Sequence, residues 1–174
     1  MESNGKFADY LEEAIGKDNA GIALEALSLP ASVSVRMNPA KIDAPTPESV
    51  SDFFSMPVKP VLWNRYGWFL SERPVFTLDP LMHCGCYYVQ DSSAMFVGEV
   101  FRQVLKKMTE EGALPKERPL RVLDLCAAPG GKTTDILSSL KMSGIGSCLL
   151  VSNEIMKQRA AVLSDNAGIW GDPD

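Results

Sequence analysis

The sequence predicts an α/β fold: the start of a parallel sheet with a crossover helix, preceded by a small α+β lobe. Three observations carry this. Val122, Leu123 and Leu125 form a short apolar run, as expected of a strand buried on both faces. Pro129, Gly130 and Gly131 break that run, and a helical pattern follows, with Thr133, Ile136, Leu137 and Leu140 on one face. Cys148-Leu149-Leu150-Val151 then offers a second strand at the spacing of a βαβ unit.

The lobe reads in order as follows. Residues 6–29 are predicted helical, from Phe7, Leu11, Ala14 and Ile15 and then Ile22, Leu24, Ala26 and Leu27, with the Gly16 to Gly21 region separating two short helices. Val33-Ser34-Val35-Arg36 alternates like a strand that Asn38-Pro39 ends. Pro45 and Pro47 precede a short helix through Phe53-Phe54, with Thr46 as its N-cap. Val61-Leu62-Trp63 and Gly67-Trp68-Phe69-Leu70 read as a strand pair turning at Asn64-Arg65-Tyr66. Arg73-Pro74 and Asp79-Pro80 are breakers.

His83-Cys84-Gly85-Cys86 raises a metal reading beside the plainer one of a turn into a strand at Tyr87-Tyr88-Val89. Three donors in four residues do not readily make a tetrahedral site, so no metal is expected. Asp91-Ser92-Ser93 caps a long helix whose apolar stripe is Ala94, Val97, Phe101, Val104, Leu105 and Met108. Gly112 to Pro119 links it to the first strand of the parallel sheet. After the second strand come Asn153 and Glu154. A helix over about residues 155–167 follows, with Ile155, Ala160, Val162 and Leu163 available for packing and Gly168 near its end. Trp170-Gly171-Asp172-Pro173-Asp174 reads as a turn.

The chain of 174 residues suits one domain or two small ones. No apolar run approaches membrane-spanning length. The first residues lack the apolar core of a signal peptide, so a cytoplasmic protein is the expectation. Cys84, Cys86, Cys126 and Cys148 lack the paired spacing of a disulfide framework, and reduced thiols are expected. Net charge is −5, with 12 basic against 16 acidic residues in 1–119 and 5 against 6 in 120–174. Neither part is basic, so any RNA contact needs a local patch. Arg36, Lys41, Lys59, Arg65 and Arg73 lie among Trp63, Tyr66 and Trp68. Such interleaving suits backbone contact and base stacking. It equally suits core tryptophans with solvated charges.

Three ligand readings compete for the glycine turn, beside a bare βα turn. Gly131-Lys132-Thr133 matches the end of a P-loop, but Cys126 stands where its first glycine belongs. The spacing of a dinucleotide fingerprint is absent. The loop of a Rossmann-like methyltransferase fits better. There an acid on the strand and a glycine turn cradle S-adenosylmethionine, and an acid after the next strand, here Glu154, holds the ribose.

Asp124-Leu125-Cys126-Ala127-Ala128-Pro129-Gly130-Gly131-Lys132-Thr133 resembles the cofactor motif of the Sun-type RNA (cytosine-5) methyltransferases, most of all their bacterial ribosomal RNA branch. Val35-Arg36-Met37-Asn38-Pro39 resembles the family's Arg-x-Asn element. Residues 85–95, Gly-Cys-Tyr-Tyr-Val-Gln-Asp-Ser-Ser-Ala-Met, resemble its Gly-x-Tyr-Tyr-x-Gln-acid-x-Ser segment. Ser152-Asn153-Glu154 with Arg159 and Asn166 resembles its second cofactor element.

The resemblance implies S-adenosylmethionine held by Cys126, Ala127, Ala128, Pro129, Gly130, Gly131, Lys132 and Glu154. It also implies RNA as the partner, ribosomal rather than transfer RNA, with Arg36 and Asn38 as contacts, or Arg36 as a structural residue that takes no part in methyl transfer; Arg65 joins them from the aromatic patch. The family's nucleophile is a cysteine in a Thr-Cys motif, with a second cysteine in a Pro-Cys motif. Here the cysteines follow His83, Gly85, Leu125 and Ser147, so no catalytic residue is assigned and the nucleophile is expected beyond residue 174. The resemblance also implies a division into an accessory lobe over residues 1–85 and the cofactor-binding domain over 86–174. The chain is therefore read as the N-terminal portion of such an enzyme, inactive alone. The alternatives are an RNA-binding module with an incomplete methyltransferase-like fold and a P-loop-like nucleotide-binding protein.

Overall fold

The structure is a computed structural model and describes residues 3–171. The chain divides into two contact units, Met1–Ser32 and Val33–Asp174. The first is a helical pair, α1 (Ser3–Ile15) and α2 (Lys17–Ser28). The break falls at Gly16 alone, whose φ of 81° and ψ of 157° interrupt the helix. Gly21 sits inside α2, so the separating region is one residue rather than six.

The second unit begins with a four-stranded antiparallel sheet, ordered β2-β3-β1-β4. Its strands are β1 (Val33–Met37), β2 (Val58–Pro60), β3 (Gly67–Leu70) and β4 (Tyr87–Val89). α3 (Pro47–Phe54) lies between β1 and β2 in the chain. Thr46 accepts from Ser49 N–H at its start, and the Ser49 hydroxyl answers Thr46 N–H, a reciprocal cap.

The expected partner strand at 61–63 is displaced to 58–60. Pro60 is tolerated there because β2 is an edge strand. Residues 61–66 instead form turns, with Asn64 N–H donating to Val61 O and Gly67 N–H to Asn64 O. After β3, a short 3-10 turn (Phe76–Leu78) and α4 (Pro80–His83) lead into β4. β4 begins just past residue 86 and pairs with β1, Val35 opposite Val89.

Alternation gives β1 two different faces. Val35 and Met37 join Val50, Trp68, Leu70, Phe76 and Tyr87 in an apolar core under α3. Ser34 and Arg36 point the other way, towards the second part of the unit. That part comprises α5 (Ser92–Glu110), β5 (Leu120–Asp124), α6 (Gly131–Met142), β6 (Cys148–Ser152) and α7 (Lys157–Trp170). Asp91 caps α5, accepting from Ser93 N–H at 2.8 Å. β5 and β6 pair in parallel, Leu120 opposite Cys148 through Asp124 opposite Ser152. Leu105, Leu120, Ile136 and Leu140 form the core between α5, α6 and the strands.

Three expectations change here. β5 is covered on one side only: Leu123 is 61% and Leu125 63% exposed, because among the described residues nothing lies over that face. The buried face of α5 is Met95, Gly98 and Leu105, while Val97 and Val104 face outward. Gly98 decides this, since a Cβ there would collide with the Asp135 carboxylate. α7 starts at Lys157, runs past Gly168 and ends at Trp170, stopped by Gly171 at φ 94°. Ile155 is left exposed; of the turn expected over 170–174, Trp170 instead closes α7, and 172–174 lie outside the described residues.

Arg36 ties the two parts together. It is 1% exposed. Its Nε donates to Gln90 Oε1 at 2.8 Å, and its Nη2 donates to Thr134 Oγ1 at 2.5 Å and Gly131 O at 3.1 Å. Asp135 lies 3.9 Å away and the Trp170 ring 4.5 Å away. Burial lowers its pKa to about 10, with Asp135 opposing the shift, so the guanidinium remains charged at neutral pH. Asp135 also receives Arg102 Nη1 at 3.2 Å and Asn64 Nδ2 at 3.3 Å. Removing one partner of such a buried group strands the others. Arg36→Ala is expected to lower unfolding stability by about 3–5 kcal/mol, read from the urea midpoint.

Candidate functional site

The glycine turn occupies the C-terminal end of β5. Ala127 N–H donates to Asn153 O and Asn153 N–H to Asp124 O, so the turn is stitched to the residue after β6. Gly130 N–H closes onto Ala127 O at 2.8 Å. The N–H groups of Ala127 and Gly130 are thus spent within the protein. Those of the first turn of α6 have no intrahelical partner, and α6 has no side-chain cap. They and the positive end of the helix are what the turn offers an anionic ligand. Gly130 adopts φ 114°, and a Cβ on it would sit 3.3 Å from Leu163 Cδ1. The positive φ favours glycine, and any side chain would also press on Leu163. Asp124 is buried and accepts from Thr133 Oγ1 at 2.7 Å, which pins the end of β5 to the start of α6.

Glu154 follows β6, with its side chain 6% exposed. Oε1 accepts from Met156 N–H at 3.0 Å, and Oε2 lies 3.4 Å from Arg159 Nη1. Arg159 also donates from Nη2 to Ala128 O at 2.9 Å. Asn166 Nδ2 donates to Pro129 O at 2.7 Å, and the Tyr88 hydroxyl donates to the same oxygen at 3.2 Å. α7 therefore holds two carbonyls of the turn. A cleft of about 790 Å³ lies between α6, β6 and α7 and is lined by Thr133, Asn153, Glu154, Leu163 and Ser164 among others. Of the sequence-predicted cofactor residues only Glu154 borders it, while Cys126 to Lys132 lie outside its lining. Cys126 and Lys132 are exposed, and Ala127 and Ala128 are buried.

The residues assigned to RNA separate. Arg36 and Asn38 are interior, with their polar atoms engaged by the protein. Asn38 Nδ2 donates to Gly85 O at 2.9 Å and to Trp170 O at 2.8 Å. Neither leaves a surface for RNA in this structure, so Arg36 takes its structural alternative and Asn38 is corrected to an interior residue. The physical reason is that β1 is a central strand covered on both faces. Arg65 is exposed, with its guanidinium 5.0 Å from the Tyr66 ring centre. Tyr66 and Trp68 are core residues, and the Trp63 indole donates to Ser92 O at 2.7 Å. Among the described residues no group of three His, Cys, Asp or Glu is arranged to hold a metal. No described helix is long and apolar enough to cross a membrane.

A family profile described as the N-terminal domain of 16S rRNA methyltransferase RsmF matches residues 4–92, just over half of the chain. The chain belongs to this family. Ribosomal RNA small subunit methyltransferase F of Shewanella sp. (strain W3-18-1) is 30% identical over 145 residues, covering 82% of this chain and 28% of that protein. The namesake from Vibrio vulnificus (strain YJ016) is 30% identical over 142 residues, covering 79% and 26%. This RsmF-family chain thus spans under a third of the length of these relatives.

A methyltransferase homologue protein from Pyrococcus horikoshii has a similar structure, with a TM-score of 0.68 at 24% identity, covering 95% of this chain and 48% of that one. NSun6 from the same organism, solved with SFG, gives 0.64 at 15% identity, covering 94% and 62%. The fold is the start of a Rossmann-like methyltransferase domain preceded by a small α+β lobe.

Of the residues in this arrangement, the sequence names Thr133, Tyr88, Arg159 and Asn166 only through motifs and leaves Asp135 unmarked. Asp135 falls on the side of α6 away from the predicted Thr133, Ile136, Leu137 and Leu140 stripe, so periodicity reads it as solvent-facing, and nothing in the sequence marks its partners. Gly130→Ala is expected to destabilise this RsmF-family chain by about 1–3 kcal/mol through backbone strain, read from its thermal midpoint.

Proposed function

We propose that this chain is the N-terminal part of an S-adenosylmethionine-dependent enzyme that methylates carbon 5 of a cytosine in ribosomal RNA. The observation that carries the reading is the pairing of the glycine turn with Glu154. They stand at the same ends of two parallel strands and are bridged by Arg159. Ligands of open α/β sheets bind at the carboxyl ends of the strands. The membership in the RsmF family supports the substrate class.

When bound, S-adenosylmethionine would supply an electrophilic methyl group. The residues here fit it by charge and shape. Glu154 keeps two carboxylate acceptor sites beyond the Met156 N–H and Arg159, enough for a pair of vicinal ribose hydroxyls. Gly130 lets a ligand approach the backbone closely. The first turn of α6 offers N–H donors to a carboxylate. Lys132, exposed beside that turn, adds a positive charge. The lobe up to residue 85 serves as the accessory, RNA-facing part, with Arg65 as its exposed cation, and the cofactor domain begins near residue 86. A cytoplasmic location accords with ribosomal RNA as the substrate.

Two outcomes test this. Glu154→Ala is expected to weaken S-adenosylhomocysteine binding by about 1–3 kcal/mol in isothermal titration, with ATP giving no heat in either protein. Equal affinity of the variant and the parent would remove Glu154 from the site.

The second outcome concerns the nucleophile. Carbon 5 of cytosine is activated by a thiolate added at carbon 6, and no cysteine here has a Thr-Cys or Pro-Cys context. The 174-residue chain with tritiated cofactor and unmodified ribosomal RNA is expected to incorporate no label. Incorporation abolished by Cys126→Ala would relocate the nucleophile to the turn.

A further inference from the structure

We propose that Arg159 is a positioning residue that sets the carboxylate of Glu154 for ribose and couples it to the glycine turn. The proposal rests on the reading of Glu154 as the ribose ligand. One planar guanidinium spans two elements: Nη1 lies 3.4 Å from Glu154 Oε2 and Nη2 donates to Ala128 O at 2.9 Å. A rigid fork can fix two acceptors relative to each other, which a flexible ammonium cannot.

The two acceptors belong to different strand ends. Glu154 follows β6 and Ala128 follows β5. Met156 N–H holds Oε1 on the other side at 3.0 Å, so the carboxylate is gripped at both oxygens while part of its acceptor capacity remains open. Arg159 itself is about half exposed, whereas the Glu154 side chain is nearly covered. The arginine is therefore the outer member of the pair and can be replaced without opening the core. Its helix is anchored independently of it: Leu163 packs against Ala127 and Ala128, and Asn166 binds Pro129 O. Loss of Arg159 should thus free the Glu154 carboxylate while α7 stays in place.

The test separates positioning from folding. Using the full chain that the gene encodes, titrate S-adenosylhomocysteine and its 2′-deoxy counterpart into the parent and into Arg159→Ala, and record the urea midpoint of each. The parent is expected to prefer the ribose ligand by roughly ten- to a hundredfold, the worth of a hydrogen bond to a charged group. Arg159→Ala is expected to shrink that preference to about threefold or less with its urea midpoint little changed, and Arg159→Lys to leave it similarly small because the fork is gone.

Retention of the full preference by Arg159→Ala overturns the positioning role and leaves Glu154 as the ribose ligand. A parent that fails to distinguish the two ligands overturns both. A preference lost only together with a collapse of the urea midpoint assigns Arg159 to stability and also overturns the proposal.

Discussion

A single buried cation organises the unit from Val33 onward. Arg36 sits in the middle strand of the lobe sheet, without solvent, and a charge there is tolerated only when it is fully surrounded by acceptors. Those acceptors come from elsewhere in the chain: Gln90 before α5, Gly131 and Thr134 at the start of α6, and Asp135 next to them. The lobe face of the sheet and the beginning of the crossover helix must therefore meet in one geometry. Asp135 extends the constraint to α5 through Arg102, and Gly98 is the hollow that admits its carboxylate.

α6 shows what this costs in composition. It carries Thr133, Thr134, Asp135, Ser138 and Ser139 in buried positions, an unusual load for a central helix. Each has a specific partner: Asp124, Arg36, Arg102, the Thr134 carbonyl and Arg102 respectively. Polar contacts from α6 to β1, β5 and α5 give register that apolar ones do not, because each group fits only one arrangement of neighbours. The glycine turn immediately precedes this helix, so its position follows from the register.

Much of the architecture was legible in the sequence because it rests on local rules. The Thr46 and Asp91 caps, the parallel strands near 121 and 148, and the helix after Gly130–Gly131 follow from spacing and turn chemistry. What could not be read is long-range. The displacement of β2 to Val58–Pro60 depends on a register with β3 set by Val58 opposite Leu70, and the apolar triplet Val61-Leu62-Trp63 gave the stronger local signal. The outward turn of Val97 depends on the Gly98 contact, which involves a residue in another helix. Within the candidate site, the place of the glycine turn after β5 and of Glu154 after β6 could be read from residue type and spacing. The burial of Arg36 and Asn38 did not, since a basic residue and an amide at the end of a strand look the same whether they face solvent or a second layer.

The C-terminal end of α7 is received by the lobe. Asn38 takes the Trp170 carbonyl, and Lys41 Nζ donates to the Ile169 carbonyl at 2.8 Å and to Cys84 O. A chain grows from its N-terminus, and its early segments leave the ribosome first. The β1 segment therefore emerges with Asn38 lacking a partner that lies 132 residues downstream. The lobe can collapse around its own apolar core before then, but its other face cannot finish until α7 has been synthesised. Completion of the first strand's environment is thus timed by the last helix described, and a ribosome paused between them would carry a half-satisfied sheet.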